Sequence, residues 1–149
     1  MNFDVVVIGA GTAGAATAGN LAELGARVLL ADARPVERCG ARWVNGVAPW
    51  MFERAGLALP AGAEDRGCPD FSLLGVSGRR YLTISPSPVH GVDMRHLVQR
   101  LHDRARAVEV TLLGGVRVGA LEHRRGRPIS LELWEGKGRA LRNVRASLF

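Results

Sequence analysis

The chain has 149 residues, 47% of them hydrophobic and 23% charged, which is enough to bury the core of one α/β domain. Its net charge of +6 comes from arginines spread along the chain without a nucleic-acid-binding motif, and this disfavours a nucleic-acid partner. No apolar stretch reaches the roughly eighteen residues that a membrane span requires, and the cysteines and histidines show no metal-site spacing. We therefore expect a cytoplasmic domain without a metal.

The first predicted elements enclose a glycine-rich turn. Residues 3–8 form an apolar run that predicts a strand, and the motif G-x-G-x-x-G follows at Gly9, Gly11 and Gly14. Gly9 permits a tight turn, Gly11 has no side chain to obstruct a pyrophosphate, and Gly14 lets the next helix pack closely on the strand. The pattern predicts a dinucleotide-binding turn. The alternative is a glycine-rich βαβ turn that binds nothing.

The helix after this turn is expected over residues 12–24, with Gly25 as its C-terminal signal. The first N–H groups of a helix have no partner within the helix, and the helix dipole makes this end positive. Thr12 and Ala13 would therefore direct their N–H groups at the phosphates of a dinucleotide.

A second strand is expected over residues 27–31 and leads into Asp32. An acid at this place accepts hydrogen bonds from a ribose 2′-hydroxyl. It disfavours NADP, because the 2′-phosphate would meet a like charge, and the alternative is an acid that caps a turn or helix. Ala33 would lie beside the adenosine through its backbone. The glycines and the acid leave the choice between FAD and NAD open.

The middle of the chain predicts a helix, a loop and a hairpin. The helix is expected over residues 45–55, with Asn45 as its N-cap. The loop and the two strands of the hairpin follow, over residues 57–70, Phe71–Val76 and Tyr81–Ile84.

The last third of the chain predicts a helix, a parallel strand and an antiparallel meander. Asp93 can cap a helix that runs to about Ala107, and Val108–Leu113 reads as a third parallel strand. The meander is expected from three alternating runs, Val116–His123, Ile129–Trp134 and Arg139–Val144. Together these elements predict an α/β, Rossmann-like FAD/NAD(P)-binding domain with a parallel sheet and a small antiparallel β-meander.

Three segments resemble a known family. The run Asp4–Gly14, the pair Cys39-Gly40 and the run Val92–Leu101 are similar to the N-terminal region of FAD-dependent oxidoreductases of the glutathione-reductase type. The branch that the chain resembles contains aromatic hydroxylases, geranylgeranyl reductases, lycopene cyclases and flavin-dependent halogenases. The resemblance spans nearly the whole chain. It implies FAD as the cofactor and does not indicate the substrate.

The resemblance also implies roles for two arginines. Arg95 matches the v-x-R motif of the branch and is expected near the phosphate or ribitol of the flavin, where a guanidinium suits anionic oxygens. Arg38 is expected near the adenosine end of FAD. For each the alternative is a solvated surface arginine. The lysine of a halogenase has no candidate after Cys39-Gly40, because Lys137 is the only lysine of the chain.

The final run, Arg145–Phe149, resembles the start of a strand that leads into a cofactor-contacting turn in the family. We therefore expect residues 1–149 to be the N-terminal part of an FAD/NAD(P)-binding domain, truncated at its C-terminus. Residues 57–90 would begin a β insertion on the substrate side.

This organisation predicts the FAD-binding portion of a flavin-dependent oxidoreductase of the monooxygenase or reductase type, inactive by itself. Its substrate would be a small organic molecule, with NAD(P)H as a candidate electron donor. One alternative is a non-catalytic or remnant module that binds a dinucleotide, and another is an NAD-dependent dehydrogenase domain. The catalytic residues and the oligomeric state are not indicated.

Overall fold

The structure is a computed structural model that describes residues 2–124, 127–135 and 139–147. Its helices and strands are, in chain order, β1 (Val5–Ile8), α1 (Thr12–Glu23), β2 (Val28–Ala31), β3 (Val44–Val47), α2 (Pro49–Arg54), β4 (Phe71–Leu74), β5 (Tyr81–Ile84), β6 (His90–Asp93), α3 (Met94–Ala107), β7 (Thr111–Leu113), β8 (Val116–Arg124), β9 (Arg127–Glu135) and β10 (Arg139–Arg145). The chain divides into a first unit, Met1–Ala41 with Val98–Phe149, and a second unit, Arg42–Leu97.

A parallel sheet in the order β1-β2-β7 forms the centre of the first unit. All four residues of β2 are buried, as expected of an apolar strand that is covered on both faces. Leu29 and Ala31 belong to one hydrophobic core cluster. Because side chains alternate along a strand, Val28 and Leu30 lie on the opposite face. The predicted parallel sheet is confirmed.

An antiparallel meander in the order β10-β9-β8 belongs to the same unit. Apolar residues of the parallel sheet and of the meander share the core cluster, which consists of Val6, Leu29, Ala31, Val116, Leu131, Leu133 and Val144. The predicted meander is confirmed. The turns expected at residues 125–126 and 136–138 lie outside the described residues.

Helices α1 and the later part of α3 complete the first unit. α1 contacts both β1 and β2, and the Arg104 Nε atom of α3 donates to the Glu23 carboxylate of α1 at 2.9 Å. The predicted helix over residues 12–24 is confirmed to within one residue. Gly25 follows it with φ +90° and donates to the Ala22 carbonyl, which is the expected C-terminal signal.

The two ends of the described chain meet beside β1. Asn2 and Arg145 form a parallel bridge, the Phe3 N–H donates to the Arg145 carbonyl at 3.0 Å, and the Ser147 N–H donates to the Asp4 carbonyl at 3.2 Å. The run after residue 145, which was expected to begin a strand, therefore lies alongside the residues that lead into β1. Residues 148–149 lie outside the described part.

The second unit contains two small antiparallel pairs. β3 pairs with β6, and β4 pairs with β5. The hairpin predicted over Phe71–Val76 and Tyr81–Ile84 is confirmed, although its first strand ends at Leu74. The Arg66 N–H donates to the Gly91 carbonyl at 2.7 Å and ties the preceding loop to β6. No helix in the described part of the chain has the length and apolar character needed to cross a bilayer.

The helix predicted over residues 45–55 is wrong in its first half. Residues Val44–Val47 form β3, and the helix that follows has Ala48, not Asn45, as its N-cap. Pairing with β6 overrides the local helical pattern here. Pro49 marks the true start, because proline suits the first helical position and disfavours helical geometry in the residue before it.

One further strand was predicted with the wrong start, and one was not predicted. The strand predicted over Val108–Leu113 begins only at Thr111, because Val108, Glu109 and Val110 still donate to carbonyls of α3. Glu109 has φ +63°, a left-handed conformation that ends a helix. β6 was not predicted, because its partner is β3, which was itself predicted to be helical.

Candidate functional site

The glycine turn joins β1 to α1 within the first unit. Gly9 has φ +100°, a conformation that side chains other than glycine rarely adopt. Its N–H donates to the Ala31 carbonyl at 2.7 Å, so the turn is tied to the end of β2. The tight turn predicted at Gly9 therefore has the backbone geometry that requires glycine.

Gly14 is required for close packing. A Cβ atom at this position would collide with the Gly9 carbonyl oxygen and would lie 3.5 Å from a methyl group of Val7. The absence of a side chain lets α1 begin directly against the turn, which is the packing role predicted for the third glycine of the motif.

The N-terminus of α1 is open to a ligand. Gly11 is its N-cap and has no side chain, the helix carries no acid in its first turn, and it is twelve residues long. Thr12 and Ala13 occupy the first two helical positions, whose N–H groups have no partner within the helix. A Cβ at Gly11 would meet only the Gly40 Cα at 3.7 Å. These groups form a positively polarised, side-chain-free surface that suits phosphate.

The carboxylate of Asp32 lies beside the turn. Asp32 is only 8% exposed. Its Oδ2 atom accepts from the Ala10 N–H at 2.8 Å, and its Oδ1 atom accepts from the Arg34 N–H at 2.8 Å. Burial raises the pKa of Asp32, but these two N–H donors and the Arg34 guanidinium outweigh burial, so the pKa lies below its ordinary value. An ionised carboxylate has lone pairs left for ribose hydroxyls.

A cavity of about 590 Å³ opens next to this carboxylate. It lies wholly in the first unit and is lined by Ile8, Gly9, Ala31, Asp32, Ala33, Val116, Arg117 and Val118. Ala33 is exposed, and its contact with an adenosine stays a prediction. Arg117 and Val118, from β8, were missed by sequence reasoning. The available signal was the short Gly114-Gly115 connection, which returns the chain so that the Val116 N–H donates to the Asp32 carbonyl at 3.0 Å.

Arg34, and not Arg38, contacts the acid. The Arg34 Nε atom lies 3.3 Å from Asp32 Oδ1, and its Nη1 atom donates to the Gly40 carbonyl at 3.4 Å. Arg38 ends a short 3-10 helix that starts at Val36, and it is exposed. The proposed role of Arg38 stays a prediction, whereas Arg34 is the basic residue that the fold brings to the site.

Arg95 belongs to the second unit and is paired there. Its Nη2 and Nε atoms donate to the two carboxylate oxygens of Asp93 at 2.7 and 3.0 Å, and Arg66 Nη2 donates to the same carboxylate at 2.9 Å. Hydrogen bonds from Arg95 and then from Arg66 hold the pKa of Asp93 far below its usual range. The Arg95 side chain remains 52% exposed. Its contact with FAD stays a prediction.

Cys39 is unsuited to nucleophilic chemistry. It is 4% exposed, and its thiol donates to the Pro35 carbonyl with a sulfur–oxygen distance of 3.4 Å. Burial raises the pKa of the thiol to about 11, and a thiol in this state is inert at neutral pH. Among the described residues, no group of three or more His, Cys, Asp or Glu side chains is arranged to hold a metal ion.

The parallel sheet, the glycine turn and the meander define a Rossmann-like α/β fold of the FAD/NAD(P)-binding class. Residues 4–64 match the family described as FAD dependent oxidoreductase, which confirms the resemblance predicted for the N-terminal region. A comparison with curated protein sequences finds no match.

Solved structures share the fold over nearly all of this chain. A geranylgeranyl bacteriochlorophyll reductase-like protein from Thermoplasma acidophilum is 16% identical with a TM-score of 0.78, and the match covers 97% of this chain and 37% of that one. A p-nitrophenol 4-monooxygenase from Pseudomonas putida is 19% identical with a TM-score of 0.74, and the match covers 99% of this chain and 40% of that one. The myxobacterial chondrochloren halogenase, an FAD-dependent halogenase, is 17% identical with a TM-score of 0.72, and the match covers 97% of this chain and 36% of that one. The chain thus spans less than half the length of each.

Proposed function

We propose that the chain is the FAD-binding portion of a flavin-dependent oxidoreductase of the monooxygenase or reductase type, acting on a small organic substrate. The observation that carries the proposal is the juxtaposition of an uncapped helix N-terminus with the Asp32 carboxylate. The Ala10 N–H joins the two, at 2.8 Å from Asp32 Oδ2. Bound FAD would supply the redox chemistry of its isoalloxazine ring.

The residues of the turn fit the diphosphate of FAD. Gly9 and Gly14 shape the turn, Gly11 leaves its surface free of side chains, and the N–H groups of Thr12 and Ala13 are placed to donate to phosphate oxygens. Fixed donors of this kind lose little entropy on binding, because the backbone is already ordered.

The acid and the cavity fit the adenosine half. Asp32 would accept hydrogen bonds from the ribose, with Ala33 and the β8 residues around the adenine. A 2′-phosphate would meet the ionised Asp32, so NADP is disfavoured as the ligand of this site. Arg38 and Arg95 are proposed as further contacts to the anionic cofactor, and NAD(P)H as an electron donor bound elsewhere.

Among the reaction types of the similar structures, halogenation is disfavoured. No lysine lies between residues 1 and 136, so the lysine expected of a halogenase has no candidate in that region. The β4–β5 hairpin lies in the second unit, and we propose residues 57–90 as the beginning of the substrate-side insertion. A cytoplasmic location is part of the same proposal.

The test is an FAD titration of the chain, in which binding is measured by calorimetry and by flavin fluorescence anisotropy. Gly11→Ala is the informative variant, because its Cβ meets only an ordinary contact within the protein but projects from the surface proposed for the pyrophosphate. We expect the wild type to bind FAD in preference to NAD, and Gly11→Ala to weaken binding at least about tenfold, or 1.4 kcal/mol, under conditions where a urea curve shows the variant to be folded.

The outcomes separate the alternatives. Binding of NAD without FAD would move the chain to the NAD-dependent dehydrogenases. Binding of neither dinucleotide would favour the alternative of a glycine-rich βαβ turn that binds nothing. Equal FAD affinity of the wild type and Gly11→Ala would show that the glycine turn is not the binding surface.

A further inference from the structure

Two side chains from other elements hold the peptide groups at the centre of the glycine turn. Ala10 lies between Gly9 and Gly11 and is 2% exposed. Its N–H donates to Asp32 Oδ2 at 2.8 Å, and its carbonyl oxygen lies 2.8 Å from Nε2 of His102. Both contacts are buried, and the second joins residues 92 positions apart in the sequence.

The imidazole of His102 is the donor in its contact. A carbonyl oxygen only accepts, so Nε2 must carry a hydrogen. His102 is 1% exposed, and its Nδ1 atom is also buried and has no hydrogen-bond partner among the described residues. His102 lies on α3 next to Leu101, which is 2% exposed. Burying a nitrogen without a hydrogen-bond partner lowers stability, and an aliphatic residue at this position would avoid that cost.

The contact with Ala10 also determines the direction of the next N–H group. The peptide bond between Ala10 and Gly11 is trans. In a trans peptide the C=O and the following N–H are coplanar and point in opposite directions. Because His102 holds the Ala10 carbonyl, the Gly11 N–H points in the opposite direction within the same peptide plane, away from the imidazole.

We propose that His102 is a positioning residue for the nucleotide-binding turn. By donating to the Ala10 carbonyl it holds the Gly11 N–H, together with the adjoining helix N-terminus, in the orientation that receives the pyrophosphate of FAD. Asp32 holds the N–H of Ala10, so the turn is fixed from both sides before the ligand arrives. This inference rests on the proposed function.

The test compares substitutions that keep or remove the donor. In His102→Gln the side-chain amide nitrogen reaches about as far as Nε2, whereas in His102→Asn it falls near the position of Nδ1 and cannot reach Ala10. His102→Leu removes the donor altogether. His96 is exposed on the same helix, so His96→Leu makes the same chemical change at a solvated position.

FAD affinity is measured by calorimetry under conditions where a urea curve shows each variant to be folded. We expect roughly 5- to 100-fold weaker binding for His102→Leu and His102→Asn, the range for a buried carbonyl that has lost its partner, and near wild-type binding for His102→Gln and His96→Leu. If His102→Leu does not fold, the FAD affinities of His102→Asn and His102→Gln are compared instead. The proposal would be overturned if His102→Asn bound FAD as tightly as the wild type, or if His102→Gln bound FAD as weakly as His102→Asn.

A second measurement does not depend on FAD. Nitrogen-15 NMR of the wild-type imidazole should show a protonated Nε2 and an unprotonated Nδ1, and His102→Asn should shift the Gly11 amide more than His102→Gln does. The opposite tautomer, or an unmoved Gly11 amide, would overturn the role of His102. If the wild type did not bind FAD while these signals were as expected, the proposed function would fail. The hydrogen bond by which His102 orients the Ala10–Gly11 peptide would still be supported.

Discussion

Gly14→Ala and Gly19→Ala make the same change on the same helix and should have opposite effects on stability. At Gly14 a Cβ would overlap the Gly9 carbonyl oxygen, which is backbone and cannot move aside as a side chain can. At Gly19 a Cβ would lie 3.9 Å from the Ala105 Cα, an ordinary van der Waals contact. The two sites therefore separate a packing requirement from the intrinsic helix preference of alanine.

The magnitudes follow from these two contacts. Alanine is favoured over glycine in a helix interior by about 1 kcal/mol, so Gly19→Ala should raise the free energy of unfolding by up to about 1 kcal/mol. At Gly14 that gain is opposed by overpacking, which costs about 1–3 kcal/mol, and here the backbone must shift. We expect Gly14→Ala to lower the free energy of unfolding by up to about 2 kcal/mol and to weaken FAD binding.

Urea unfolding followed by circular dichroism measures the difference, with equal slopes for wild type and both variants as the check that the unfolded states are comparable. Gly14→Ala should unfold at a lower urea concentration than wild type, and Gly19→Ala at an equal or higher one. If Gly14→Ala were at least as stable as Gly19→Ala, the reasoning about close packing at the turn would be refuted.

Two further predictions concern titratable groups. Asp93, whose pKa is lowered by Arg95 and Arg66, contributes stability that is present above its unfolded pKa of about 3.9 and is lost as the pH falls through its lower folded-state pKa. Asp93→Asn should therefore lower the free energy of unfolding at neutral pH, because the ion pairs with Arg95 and Arg66 are lost, and flatten the loss of stability below about pH 4 in urea titrations; an unchanged dependence of stability on pH in acid would contradict this. Cys39, with a pKa raised to about 11, should resist a thiol reagent at pH 8 while the more exposed Cys68 reacts, and both should react in denaturant; equal native rates would contradict the burial of Cys39.

Local signals in the sequence predicted the part of the fold around the turn. The glycine motif, the apolar run of β2 and the stop at Gly25 each act over a few residues, so pattern and structure agree there. β3 and β6 were missed for the opposite reason. Their strands exist because Val44–Val47 pairs with His90–Asp93, and no local pattern encodes a partner that far along the chain.

The candidate site shows the same division. Gly9 and Gly14 could be predicted because backbone geometry demands glycine there, and the fixed spacing of the motif predicted that Asp32 lies beside the turn. The contact between His102 and Ala10 could not, because α3 reads as an amphipathic helix and periodicity does not say which turn its polar residue will meet. Arg117 likewise reads as an exposed residue of an alternating strand until the hydrogen bond from Val116 to Asp32 places the start of β8 beside the acid.

The pairing of the residues before β1 with Arg145 and Ser147 bears on the order of events during synthesis. β1 and β2 leave the ribosome early and can pair through a short connection, but the backbone groups of Phe3 and Asp4 wait for partners that lie far along the chain. Contacts of this kind close slowly because a long loop must be ordered first. Until they close, the beginning of the sheet presents an unpaired edge on which another strand can add. β1 therefore depends for its protection on residues that are translated well after it.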